Sequence, residues 1–105
     1  MQKTPCEMVR WQIIPSIRRE LAWYLVNDYS LSHVQVAKKL GLTPAAICQY
    51  LHGKRGATSF NENIKLEIAY SAAQIMREGP KATQQEICRI CLLIQKEPKH
   101  QKINE

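Results

Sequence analysis

The sequence has no uninterrupted apolar segment near the roughly 18 residues that a membrane-spanning helix requires. Its longest, Leu21 to Val26 and Cys91 to Ile94, fall far short. It also lacks the alternating apolar and polar pattern of a strand, any internal repeat and any low-complexity run, so neither a sheet nor a solenoid is expected. The first residues, Met1 to Glu7, do not form the apolar core of a secretory signal. The expectation is a cytoplasmic protein whose four cysteines are thiols or metal ligands rather than disulfides. No nucleophile, base and orienting group stand in a catalytic pattern, and a chain of this length buries only about two-thirds of its unfolded surface, too little for a deep substrate cleft. No enzyme is expected.

Acidic charge is also scarce, with nine carboxylates against fifteen Lys and Arg in 105 residues. The imbalance is local. Residues 1–56 carry eight basic and three acidic side chains, a net of +5, whereas the remainder carries seven and six. A positive field confined to one half suits a polyanionic partner, because each phosphate it neutralises releases condensed counterions.

What the sequence does contain is helical punctuation. Pro15 fits a helix's first turn, and Ile17, Leu21, Tyr24, Leu25 and Tyr29 follow at helical spacing. Met8, Trp11 and Ile14 suggest a short helix before it. Ser32-His-Val-Gln35 is a capping box opening a helix with Val34, Ala37 and Leu40 inward and a stop at Gly41. Thr43-Pro44 restarts a helix as N-cap and first residue, with Ile47, Tyr50 and Leu51 apolar until Gly53. From Asn61 to Glu78 the face Ile64, Ile68, Ala72 and Ile75 predicts a longer helix, closed by Gly79-Pro80. A second capping box, Thr83-Gln-Gln-Glu86, predicts a last helix with Ile87, Ile90, Cys91 and Ile94 inward, ending before Pro98. The fold expected is a single all-α domain over 1–105, a five- to six-helix bundle. Residues 15–56 are expected to form a helix-turn-helix DNA-binding core, and 61–97 a C-terminal helical region that carries cysteines and dimerises.

Within Leu31 to Gly53, Ala37 is small where a second helix must approach the first, Gly41 turns the chain, and Ile47 pins the second helix to the core. These are the demands of a helix-turn-helix, and about half the chain resembles the phage-repressor-like class of DNA-binding domains. More narrowly, the segments Thr4-Pro-Cys-Glu7, Ile14-Pro-Ser-Ile-Arg18, Glu20-Leu-Ala22, Ala37-Lys-Lys-Leu-Gly41, Ala45-Ala-Ile47, Gln49-Tyr-Leu51, Gly53-Lys-Arg-Gly56 and Cys88-Arg-Ile-Cys91 resemble small transcriptional regulators of archaea and anaerobic bacteria. The N-terminal module is similar to the DNA-binding half of archaeal regulators fused to a thiamine-phosphate-synthase-like domain. Nothing in these residues resembles that second domain, so a thiamine effector is not expected.

The resemblance implies a regulator that reads double-stranded DNA as a homodimer on a palindromic site. In the motif the second helix enters the major groove N-terminus first, which assigns Pro44, Ala45, Cys48 and Gln49 to base edges. Gln49 has the paired donor and acceptor that bridge adenine N6 and N7, and Pro44 and Ala45 offer apolar surface to a thymine methyl. Thr43 is assigned to phosphate, as are His33, Lys38, His52, Lys54 and Arg55. The dimer interface is expected on the C-terminal helices with Trp11 and Trp23, whose alternative place is the monomer core.

Cys88 and Cys91 lie three apart on the last expected helix and can share a metal or form a strained disulfide. Cys6 joins them if the first and last helices pack together. The resemblance favours Cys6, Cys88 and Cys91 as one ligand set, for an iron–sulfur cluster before zinc. Buried cysteines acting as small hydrophobes are the other reading. Members of the family it resembles usually carry Ser at the position of Cys48, which leaves it outside the set. The rival function is an antitoxin or protein-interaction adaptor with a structural zinc site.

Overall fold

The computed structural model describes residues 13–53 and 60–96, which form five helices and no strand. The first, α1 (Ile14–Asn27), opens with Pro15 in its first turn, where the missing N–H has no intrahelical partner to lose. Its buried stripe is Ile17, Leu21, Ala22 and Leu25. The helix closes where the Asp28 N–H donates to the Tyr24 carbonyl, so Tyr29 lies beyond its end and is exposed rather than part of the inward face. Ser30 turns the chain with φ +57°, and the Leu31 N–H returns to the Leu25 carbonyl.

Two eight-residue helices follow, α2 (His33–Leu40) and α3 (Pro44–Leu51). The capping box of α2 forms as expected. The Gln35 N–H donates to Ser32 Oγ at 3.2 Å, and the Ser32 N–H donates to Gln35 Oε1 at 2.9 Å. Gly41 takes the left-handed conformation, φ +69°, and both it and Leu42 donate backbone N–H groups to the Ala37 carbonyl. One expectation fails here: Val34 is 52% exposed, and Val36 lies inward beside Ala37 and Leu40.

The long helix α4 (Glu62–Glu78) is capped by Asn61, whose Oδ1 accepts from the Ile64 N–H at 2.9 Å, and it buries Ile64, Ile68, Ser71, Ala72 and Ile75. A single residue, Gly79, joins it to α5 (Pro80–Gln95). With φ +82° and ψ −163°, Gly79 occupies a region essentially closed to residues bearing a Cβ. The expected start of α5 at Thr83 is wrong. Gly79 and Pro80 begin the helix one turn earlier, and Thr83 is buried inside it with its hydroxyl donating to the Lys39 carbonyl of α2.

The helices close around α1, which packs against each of the other four. Ile17, Leu21 and Leu25 meet Val36, Ile47, Ile68, Ile75, Ile90 and Ile94 in one cluster. The α4–α5 hairpin carries a polar clamp. Arg89 donates to Glu67 Oε1 at 2.6 Å, to Glu86 Oε1 at 3.1 Å and to Ser71 Oγ at 2.8 Å, and Ser71 donates to Glu86 at 2.7 Å. Burial disfavours the charge of Arg89, but the hydrogen bonds and attraction of Glu67 and Glu86 outweigh it and raise its pKa. Across α1 and α4, the Tyr24 hydroxyl donates to the Lys65 carbonyl. Burial, with the carboxylates of Glu20, Asp28 and Glu62 nearby, raises its pKa above the ordinary tyrosine value.

Candidate nucleic-acid interface

A helix of only eight residues does not persist alone in water, so α3 owes its position to its neighbours. It packs on α1 and α2 through Ile47 and Tyr50, both buried. Thr43 sets its start: Oγ1 accepts from the Ala46 N–H at 3.1 Å, and the Thr43 carbonyl accepts from the Ile47 N–H. Pro44 fixes the first turn. At 3.6 residues per turn, Pro44, Ala45, Cys48, Gln49 and His52 fall within an arc of about 140°, opposite Ile47 and Tyr50. Pro44, Ala45, Gln49 and His52 are exposed and Cys48 is half-buried. The five residues share one solvent-facing surface with the Thr43 cap at its head.

His52 is held against its own helix, with Nδ1 at 2.8 Å from the Cys48 carbonyl and 3.3 Å from Cys48 Sγ. With the proton on Nδ1 the ring donates to the carbonyl; in the other tautomer it accepts from the thiol. On α2, which packs directly on α3, Val34, Gln35 and Lys38 make the exposed face, with His33 exposed at its first residue. Lys38 and Lys39 occupy its last turn, where the negative end of the helix dipole favours cations. Lys54 and Arg55 lie outside the described residues.

Another signal was available in the sequence. Between Asp28 and Glu62 there is no Asp or Glu, so every side chain of α2, α3 and their connection is neutral or basic. This carboxylate-free segment coincides with the surface just described.

The cysteines separate. Cys48, Cys88 and Cys91 are not disulfide-linked. Cys88 is exposed and accepts from the Gln84 amide; Cys91, one turn on, is 8% exposed and accepts from the Gln95 amide. Cys6 lies outside the described residues. Among the described residues no three His, Cys, Asp or Glu side chains converge as a metal site, and the two thiols supply only part of a three-thiolate set. Of the tryptophans expected at an interface, Trp23 is 49% exposed on α1 and edge-on to Tyr24, which takes it out of the core. Trp11 lies outside the described residues. No protein-family description, curated protein or solved structure matches this chain.

Proposed function

We propose that this chain is a sequence-specific DNA-binding transcriptional regulator that acts as a homodimer, with α2 and α3 as a helix-turn-helix and α3 as the helix that enters the major groove. The observation that carries this reading is the single exposed arc of α3, set within a segment free of carboxylates. A groove lined with phosphates repels acidic side chains and selects neutral hydrogen-bonding and basic ones.

In this reading Gln49 is the base-specific group, bidentate to adenine, and Pro44 and Ala45 contact a thymine methyl. Thr43, at the positive end of α3, approaches a phosphate, together with His33, Lys38, His52, Lys54 and Arg55. One polar base reader per module is too few to define a site, so two copies on a palindrome supply the specificity.

The test is selection of bound duplexes from a random pool, followed by titration of the selected site at several salt concentrations. A palindromic consensus with log-linear loss of affinity as salt rises is the expected result. Binding with no consensus, or affinity indifferent to salt, overturns it.

A further inference from the structure

We propose that the outer face of α4 is the surface on which two copies of this chain pair antiparallel about a two-fold axis, with Glu62 of each facing the partner's Arg77. The inference rests on the homodimer of the proposed function and names its surface.

Glu62, Leu66, Tyr70, Ala73 and Arg77 recur at intervals of three and four along α4 and, with Ala69 beside Tyr70, make a stripe on the side away from its buried residues Ile64, Ile68, Ala72 and Ile75. Leu66 is 68% and Tyr70 55% exposed. Glu62 and Arg77 are exposed, and Ala69 and Ala73 are half-buried. Leu66 and Tyr70, four apart in the middle of a long helix, keep more than half their surface open to water even though Arg89 lies over the Tyr70 ring, and form a patch that association removes.

The charge pattern identifies the occupant. The stripe is acidic at its N-terminal end and basic at its C-terminal end, with apolar residues between. It is also self-complementary in position. A two-fold axis between Ala69 and Tyr70 brings position 62 opposite 77, 66 opposite 73, and 69 opposite 70. Each large residue then meets a small one, Leu66 against the partner's Ala73 and Tyr70 against the partner's Ala69. Both chain ends of the contact become oppositely charged pairs. A closed two-fold interface needs one patch that complements itself in this way. Parallel pairing would instead set Glu62 against Glu62 and Arg77 against Arg77. The stripe spans about 22 Å at 1.5 Å per residue. The stripe and α3 rest on different neighbours: α3 packs on α1 and α2, whereas α4 packs on α1 and α5.

The experiment is sedimentation at micromolar protein and low ionic strength, with circular dichroism confirming helicity. The wild-type chain is expected at twice its 12.1 kDa. Glu62→Arg and Arg77→Glu each place like charges at both ends of the contact and are expected to weaken association about tenfold or more. An equimolar mixture of the two variants restores opposite charges at both ends and is expected to recover the dimer, as is the double variant. A wild-type dimer indifferent to both reversals overturns this surface and leaves the homodimer standing. So does loss of the dimer without recovery in the mixture. A wild-type chain that stays monomeric both free and on its selected DNA overturns the homodimer as well.

Discussion

Ile47 is the residue whose removal tests how α3 is held. Its side chain is fully buried, on a helix of eight residues whose substantial packing among the described helices is on α1 and α2. Ile47→Ala removes three carbons, a transfer loss of about 2.4 kcal/mol at about 0.8 kcal/mol per methylene. The cavity left behind adds to this. Because α3 lies at the edge of the bundle and can settle inward, the sum belongs in the lower part of the usual range, about 3 kcal/mol. Ile47→Val removes one carbon and should cost about 1 kcal/mol. In urea, with a slope of roughly 1–3 kcal/mol per molar, the alanine variant's midpoint should fall by about 1–3 M at unchanged slope. Hydrogen exchange at the α3 amides, followed on the same samples, should accelerate before that of α4, since α3 is less than half as long and loses its own core anchor. The reasoning fails if both variants lose less than about 0.5 kcal/mol. It fails equally if α3 and α4 exchange together, for then Ile47 is not what fixes the exposed arc.

Gln49→Ala touches nothing buried, so its stability should stay within about 0.5 kcal/mol of wild type. On the selected site it should lose about 1–3 kcal/mol and relax preference at one base pair per half-site, measured by competition binding; equal losses on random DNA would sink the base-reading role. Thr83→Val removes the buried hydroxyl that donates to the Lys39 carbonyl and takes that donor from the part-buried acceptor. It should cost about 1–3 kcal/mol in denaturant unfolding, with Thr83→Ser close to wild type, and equal stability of all three proteins would show that the bond does not hold α2 to α5. In anaerobic labelling, Cys88 should react well ahead of Cys91, because one is exposed and the other buried. Equal protection of both, accompanied by stoichiometric iron or zinc, would instead support the ligand set of Cys6, Cys88 and Cys91.

Where local chemistry decides the backbone, the sequence was legible. The Ser32 and Gln35 exchange, the left-handed Gly41, the Thr43 cap on Pro44 and the span of α4 all follow from side-chain groups within four residues of the backbone they satisfy. The buried face of α2 was not legible. Val34 and Val36 are both β-branched and apolar, and over eight residues the helical period accommodates either beside Ala37 and Leu40. The choice is made by α1, α3 and α5, which all pack against this helix. Thr83 misled for a related reason: its pattern with Glu86 is that of a cap, but Pro80 had already begun the helix and the hydroxyl serves a partner 44 residues away. The Arg89 clamp spans 18 to 22 residues, beyond any local signature except the Glu86 and Arg89 spacing. Among the residues assigned to DNA, the exposure of Pro44, Ala45 and Gln49 followed from placing Ile47 and Tyr50 inward, since one face of so short a helix defines the other.

The bond from Thr83 to Lys39 bears on how the two proposed surfaces communicate. A helix leaves its last four carbonyls without intrahelical partners, and in α2 these belong to Ala37, Lys38, Lys39 and Leu40. Ala37 is served locally, by Gly41 and Leu42, which fixes the turn. Lys39 is served from α5, which ties the end of α2 to the α4–α5 hairpin. The orientation of α3 is thus set by three supports: α1 through Ile47, the Gly41 turn, and, at one remove, the hairpin that carries the Glu62 to Arg77 stripe. Rigid attachment of this kind is what a palindrome reader needs, because half-site spacing is measured between two α3 helices and any looseness between hairpin and turn is spread over both. The small number of connections also makes each one consequential: α3 does not pack substantially on α4 or α5, so a change at the α4–α5 hairpin reaches it through α1 or through α2. The Lys39 carbonyl is the polar contact on the second of these routes, two residues before the turn that aims α3.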